Sequence, residues 1–243
     1  MNTAYREFAP TGRLRQYVEC FWTVKPGSAF PEYPVLPDGC VDIVYSRSLA
    51  REPQLVGTMT NARRFAMPAG DFQFGVRFRP AMSRAFLVLP GPVTLDQLIP
   101  LSDLWGAGAR RLAEQLSEAQ SVAQRVALIE GSLCNPGDTS LVQRLCTSIV
   151  AQAGQVRMDD LAFQAGISPR QLRRLFLEEI GLSPKHFCRV IRFRNSLSRW
   201  SQGGRADWTQ VALDCGYYDQ AHFINEFRQF SGYTPGEFAA LER

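Results

Sequence analysis

Nine basic residues fall between positions 170 and 205, namely Arg170, Arg173, Arg174, Lys185, Arg189, Arg192, Arg194, Arg199 and Arg205. Only two acids, Glu178 and Glu179, share that stretch. Such a local excess suits a polyanion, and arginine adds a planar fork that fits guanine O6 and N7 or a phosphate. Ser168-Pro169-Arg170-Gln171-Leu172-Arg173-Arg174-Leu175-Phe176 shows how the fork would be presented. At about 100° per residue, Leu172, Leu175 and Phe176 share one helix face, and Arg170 and Arg174 point away from it. Ser168 is the expected N-cap, and Pro169 suits the first helical position. Arg170 and Arg174 stand four apart, a like-charge pair that destabilises a bare helix and would be relieved by a docked anion. Glu178 is placed to pair with Arg174.

A helix, a glycine turn and a second helix position these residues. Leu161 and Ala162 face inward, and Gly166 permits the turn. The pattern returns with Val211, Ala212 and Gly216. In the second copy Phe223, Phe227 and Phe230 form the buried stripe. His222 and Asn225 point outward, and Gln220 and Ala221 lie near the helix start; Asn and Gln side chains can read adenine. His222 has no base or nucleophile beside it in sequence and reads as a surface residue. Helices are expected near 140–152, 158–165, 169–178, 184–199, 208–214, 219–229 and 235–241. Asp138 or Thr139 is expected to cap the first.

The preceding part reads differently. Tyr17–Val24, Cys40–Tyr45 and Phe72–Phe78 are strand-like, bounded by Lys25-Pro26-Gly27, Pro37-Asp38-Gly39 and Pro68-Ala69-Gly70. Phe72, Phe74, Val76 and Phe78 alternate with Gln73, Gly75 and Arg77, as in a half-buried strand. A short helix over Pro80–Leu89 and longer ones over Ser102–Glu118 and Ser121–Leu133 follow. The two longer helices either pack on the β-region or pair with a second copy. Asn135-Pro136-Gly137-Asp138 breaks the chain. The expected fold is thus α+β with two domains. Residues 1–135 form a β-sandwich or barrel-like domain with flanking helices, and residues 136–243 an all-α domain. A small-molecule pocket in the first would draw on Trp22, Asp42, Arg77 and Arg79, although Asp42 and either arginine could simply pair. Cys20 and Cys40 lie on expected strands, as a thiol sensor or as two structural cysteines.

Composition excludes other classes. The 243 residues carry a net charge of +4, and 45% are hydrophobic, which is ordinary for a globular chain. No apolar run approaches the roughly 18 residues of a membrane span. Met1 to Pro10 lack a secretory pattern, so a cytoplasmic location and reduced cysteines are expected. The six cysteines form no CxxC pair, and His186 and His222 are the only histidines. Zinc fingers and HExxH sites are therefore absent, as are GxSxG, GxxxxGK[ST] and GxGxxG. No metal, cofactor or catalytic set is expected, and the chain reads as a non-enzyme.

Gly216-Tyr217, Phe223, Phe227 and Gly232-Tyr233-Thr234-Pro235 match the spacing G-[FY]-x5-F-x3-F-x4-G-x-[ST]-P. Over roughly 138–240 the chain resembles the AraC/XylS family of bacterial transcription regulators. Gly181-Leu182-Ser183-Pro184 closes the family's first unit. The resemblance implies two helix-turn-helix units joined by a linker helix over 184–199, with reading helices in successive major grooves of double-stranded DNA. By motif position the DNA contacts are Ser168, Arg170, Gln171, Arg173 and Arg174 in the first unit. In the second they are Asp219, Gln220, Ala221, His222 and Asn225. The Gly203-Gly204 segment lengthens the entry to the second unit.

Leu36-Pro37-Asp38-Gly39-Cys40-Val41-Asp42-Ile43, Gly75-Val76-Arg77-Phe78-Arg79-Pro80 and Leu101-Ser102-Asp103-Leu104-Trp105-Gly106 resemble an uncharacterised sensor-like domain of one branch of that family. The resemblance implies an activator or repressor, with an unknown small-molecule effector and RNA polymerase as further partners. It fits a monomer or a homodimer. The alternative is a DNA alkylation-repair methyl acceptor, which can carry the same helical module; its zinc-bound cysteine cluster and Pro-Cys-His-Arg site are missing.

Overall fold

A computed structural model describes residues 3–26, 30–48, 52–68, 70–87, 89–202 and 207–241. The Gly203-Gly204 segment and Arg205 lie outside the described residues.

The N-terminal domain is built on a sheet. Its strands are β1 (Thr3–Phe8), β2 (Val18–Pro26), β3 (Phe30–Val35), β4 (Val41–Ser46), β5 (Gln54–Val56), β6 (Arg63–Met67) and β7 (Gln73–Phe78). A 3-10 turn at Met82–Ala85 replaces the helix expected over Pro80–Leu89. One-turn helix α1 (Gly91–Thr94) and β8 (Leu98–Pro100) follow. Six strands form an antiparallel sheet in the order β1-β2-β7-β4-β5-β8, and β3 pairs with β6 as a separate ribbon. Among the described residues the outer strands β1 and β8 do not pair, so the sheet is open rather than a closed barrel.

Strand alternation gives the sheet two faces. Phe21, Val76 and Ile43 form one cross-strand row and sit in the main core with Phe74 and Phe78. Cys20, Arg77 and Asp42 form the next row, on the opposite face. There Cys20, Trp22, Val24 and Met67 of the ribbon make a small second core.

Helices α2 (Ser102–Trp105), α3 (Ala107–Glu118) and α4 (Val122–Ser132) come next. Leu112, Leu116, Ile129 and Leu133 join the main core, so α3 and α4 pack on the sheet. The single helix expected over Ser102–Glu118 is broken at Gly106, where φ is +54°. A residue in that region does not continue a right-handed helix.

The C-terminal domain is helical: α5 (Leu141–Ala151), α6 (Met158–Gln164), α7 (Pro169–Ile180), α8 (Pro184–Gln202), α9 (Trp208–Asp214), α10 (Gln220–Ser231) and α11 (Pro235–Leu241). Ser140, rather than Asp138 or Thr139, caps α5 through a reciprocal box with Gln143. Helix α8 is amphipathic on two sides. Phe187 and Ile191 enter a core with Leu161, Leu172 and Phe176. Val190 and Phe193 enter another with Val211, Phe223, Phe227 and Phe230. One helix thus supplies part of the core of both units and joins them rigidly.

The sheet domain touches both units. Gly91 lies back to back with Gly181, and a Cβ on Gly91 would stand 2.2 Å from the Gly181 nitrogen. Arg84 pairs with Glu179 at 3.6 Å. Near the second unit, the Ala62 N–H donates to the Phe230 carbonyl at 2.8 Å. Glu19 pairs with Arg194 of α8.

Candidate nucleic-acid interface

Helix α7 is locally over-determined. The Ser168 hydroxyl accepts from the Gln171 N–H at 3.2 Å, and Gln171 Oε1 accepts from the Ser168 N–H at 3.0 Å. Pro169 opens the helix and Gly181 closes it at φ +81°. Leu172 and Phe176 are buried, and Ser168, Arg170, Gln171, Arg173 and Arg174 are all exposed. Capping engages Gln171 Oε1 and leaves its NH2 group to donate outward.

The local charge excess shrinks on folding. Arg174 reaches Glu178 at 3.9 Å, Arg199 reaches Asp214 at 3.5 Å, and Arg194 is held by Glu19. Arg189 and Arg192 of α8 converge on Glu226 at 2.6 and 3.4 Å. Among the described residues, Arg170, Arg173 and Lys185 keep no ion-pair partner. Arg170 and Arg173, with Arg174, Gln171, Leu177 and Glu178, line a cleft of about 590 Å³ whose far wall is Pro92 of α1. Pro92 belongs to the sheet domain and had no sequence signal.

Helix α10 is the counterpart. Asp219 is its N-cap, accepting from the His222 N–H at 2.7 Å. Gln220, Ala221, His222 and Asn225 are placed at its outer side and start, and Phe223, Phe227 and Phe230 are fully buried. His222 is not free on its inner edge. Nε2 lies 3.8 Å from Glu226 Oε2, and the ring meets Tyr217 edge-on at 5.4 Å. Glu226, which carries no motif in the sequence, is only 3% exposed. Its place one turn after His222 was the available signal.

The residues singled out for a pocket divide. Asp42 accepts from Arg77 Nε and Nη2 at 3.1 Å each, and from Trp22 Nε1 at 3.1 Å. Asp38 also reaches Arg77, at 3.4 Å. Gly75 makes room for this, since a Cβ there would stand 2.3 Å from the Trp22 indole. Trp22, Asp42 and Arg77 are therefore one internally paired cluster. Arg79 stands apart from it, exposed and donating to the Arg15 carbonyl at 3.0 Å. All six cysteines are free thiols. Burial pushes the Cys20 thiol up to about 12 and Cys40 well above the usual range, which disfavours the reactive thiolate.

Burial, with Arg77 opposing it and Asp38 reinforcing it, pushes the Asp42 carboxyl up to about 6. The folded chain thus binds this proton more tightly than the unfolded chain does. Stability from Asp42 is fully present below about 4 and is lost as pH rises through about 6. Denaturant titrations between pH 4 and 7 should show that slope, and Asp42→Asn should flatten it. An unchanged slope would remove Asp42 as its source.

The C-terminal domain thus holds a helix, a glycine turn and a second, capped helix twice over, α6–α7 and α9–α10. Residues 161–240 match the model of a helix-turn-helix domain. The matched span runs from within α6 into α11 and so holds both helix-turn-helix units. Residues 6–100 match a domain of unknown function, DUF6597. An uncharacterized HTH-type transcriptional regulator of Haemophilus influenzae is 26% identical over 138 residues, 54% of this chain and 46% of that one. The HTH-type transcriptional regulator GlxA of Rhizobium meliloti is 31% identical over 134 residues, 53% of this chain and 40% of its own. The chain thus spans less than half the length of these relatives. A solved structure of ToxT from Vibrio cholerae covers 99% of this chain and 98% of its own, at 13% identity and a TM-score of 0.45.

Among the described residues no helix is long and apolar enough to cross a membrane. No group of three or more His, Cys, Asp or Glu side chains could hold a metal ion among the described residues.

Proposed function

We propose that the chain is a cytoplasmic, sequence-specific DNA-binding transcription regulator without catalytic activity. Helices α7 and α10 enter successive major grooves. Residues 136–243 read the DNA, and residues 1–135 regulate that reading or mediate dimerisation. The observation that carries this reading is the unpaired Arg170–Arg173 edge on a capped, rigidly backed helix.

Arg170, Arg173 and Arg174 take guanine edges or phosphates, and Gln171 donates through its NH2 group. Gln220, Ala221, His222 and Asn225 read the second block. Ser168 and Asp219 act through their caps, where Ser168 Oγ and Asp219 Oδ1 are engaged. An effector would act by shifting the chain between binding-competent and incompetent states. The internal pairing of Trp22, Asp42 and Arg77 supports a structural role for that cluster, so an effector there would have to displace an ion pair.

Selection of duplexes from a random library, at stated salt, tests the reading. The expected result is two short blocks about one helical turn apart, with guanine opposite Arg170, Arg173 or Arg174. Recovery of no motif, with or without the N-terminal domain, and only salt-sensitive binding would overturn it.

A further inference from the structure

Within that reading, one acid on the second reading helix has no part in touching DNA. Glu226 is buried, and both its oxygens are engaged from α8. Arg189 Nε reaches Oε2 at 2.6 Å, and Arg192 Nη2 reaches Oε1 at 3.4 Å. His222 Nε2 approaches the same Oε2 at 3.8 Å. Tyr217 lies close by, and burial beside this carboxylate pushes its phenol up. Each arginine is also braced by a ring. Arg189 lies 5.3 Å from the Phe230 centroid and Arg192 5.1 Å from that of Tyr217.

The network continues into the first unit. Gly154 ends the turn after α5, and a Cβ there would stand 2.3 Å from the Cys188 carbonyl and 3.0 Å from Arg192 Cγ. The Arg192 stem is therefore pressed against the first unit while its guanidinium holds the second. Next to it Gln155 Nε2 donates to the Asp214 carbonyl at 3.2 Å. The turn glycine Gly216 sits close under Gln155, since a Cβ would lie 2.7 Å from its Oε1. The three elements that set the angle between the units meet at this point.

Stability is a weak reason to keep a carboxylate here. A buried ion pair often contributes no more than apolar side chains of the same volume. What it adds is direction. The surrounding Phe193, Phe223, Phe227 and Phe230 rings can slide over one another, whereas a carboxylate gripped from two sides has one seat. We infer that Glu226 is a positioning residue: by holding Arg189 and Arg192 it fixes α10 against α8, and so sets the spacing at which the two helices can read DNA together.

The inference rests on the proposed function, and its test separates the two. Full-length wild type, Glu226→Gln and Arg192→Met are titrated with the selected duplex and with duplexes whose blocks are one base pair closer or farther. Circular dichroism sets a temperature at which all three are folded. Wild type should discriminate against the altered spacings. Each variant should lose about tenfold of that discrimination, the size of one charge-assisted contact, with base preference in the α7 block intact. A purely structural role would weaken binding to all three duplexes by the same factor, which would overturn the inference, as would wild-type discrimination in Glu226→Gln. If wild type selects no two-block sequence, the proposed function falls and this inference with it.

Discussion

Arg170→Ala with Arg174→Ala should lower affinity for the selected duplex by roughly 10²–10⁴, at about 1–3 kcal/mol per bidentate contact. Little opposes that loss within the protein. Arg170 keeps no ion-pair partner, and the Arg174–Glu178 pair is exposed at 3.9 Å, an arrangement that contributes about 0–1 kcal/mol. The double variant also removes a like-charge i,i+4 pair, so thermal stability should hold or rise slightly. The exposed Arg110 and Arg111 on α3 supply the control, because changing both to alanine removes the same charge elsewhere. If the control weakens binding equally, the effect is net charge and α7 does not read the groove. The salt slope refines the outcome. Two lost phosphate contacts reduce it by about 2, whereas lost guanine contacts relax the base preference instead.

Gly91→Ala should have the largest effect on the domain arrangement. The new Cβ would stand 2.2 Å from the Gly181 nitrogen and 2.3 Å from the Ile180 carbonyl carbon. Both are backbone atoms, so no rotamer change relieves the overlap, and α1 must withdraw from α7. Overpacking of this kind costs about 1–3 kcal/mol or more. The Arg84–Glu179 pair sits in the same contact and would be strained with it. Small-angle scattering should show a larger radius of gyration, and proteolysis near 134–140 should accelerate. Gly131→Ala in α4 is the opposite control. Its Cβ meets nothing within 4 Å, so it should stabilise the chain by up to about 1 kcal/mol. An unchanged radius in Gly91→Ala would mean that the domains dock without this glycine contact.

The helices of the C-terminal domain were legible to within about three residues because their signals are local. Ser168-Pro169 starts α7 and Gly181 stops it; Asp219 starts α10 and Gly232 stops it. Caps, periodic apolar residues and left-handed glycines act within one or two turns, so a linear reading captures them. The strand-like run Phe72–Phe78 was legible for the same reason, with Phe74, Val76 and Phe78 all facing the main core. The short strands β5 and β8 and the β3–β6 ribbon were not. Their identity depends on partners far away in the chain, and three residues of extended backbone carry no periodicity.

Charge divided in the same way. Composition along the chain pointed to a polyanion, and Arg170 and Arg173 keep that meaning in the fold. Arg189, Arg192, Arg194 and Arg199 do not, because folding brings Glu226, Glu19 and Asp214 to them from other elements. From sequence alone Asp42 fits a pocket or an arginine partner equally well; the sheet register places it directly across from Arg77, with which it pairs. A linear sequence counts charges, and the field outside the molecule depends on which of them tertiary contacts neutralise. For this chain helices α7 and α10 follow from local chemistry, while their usable charge and mutual angle follow from contacts between distant segments.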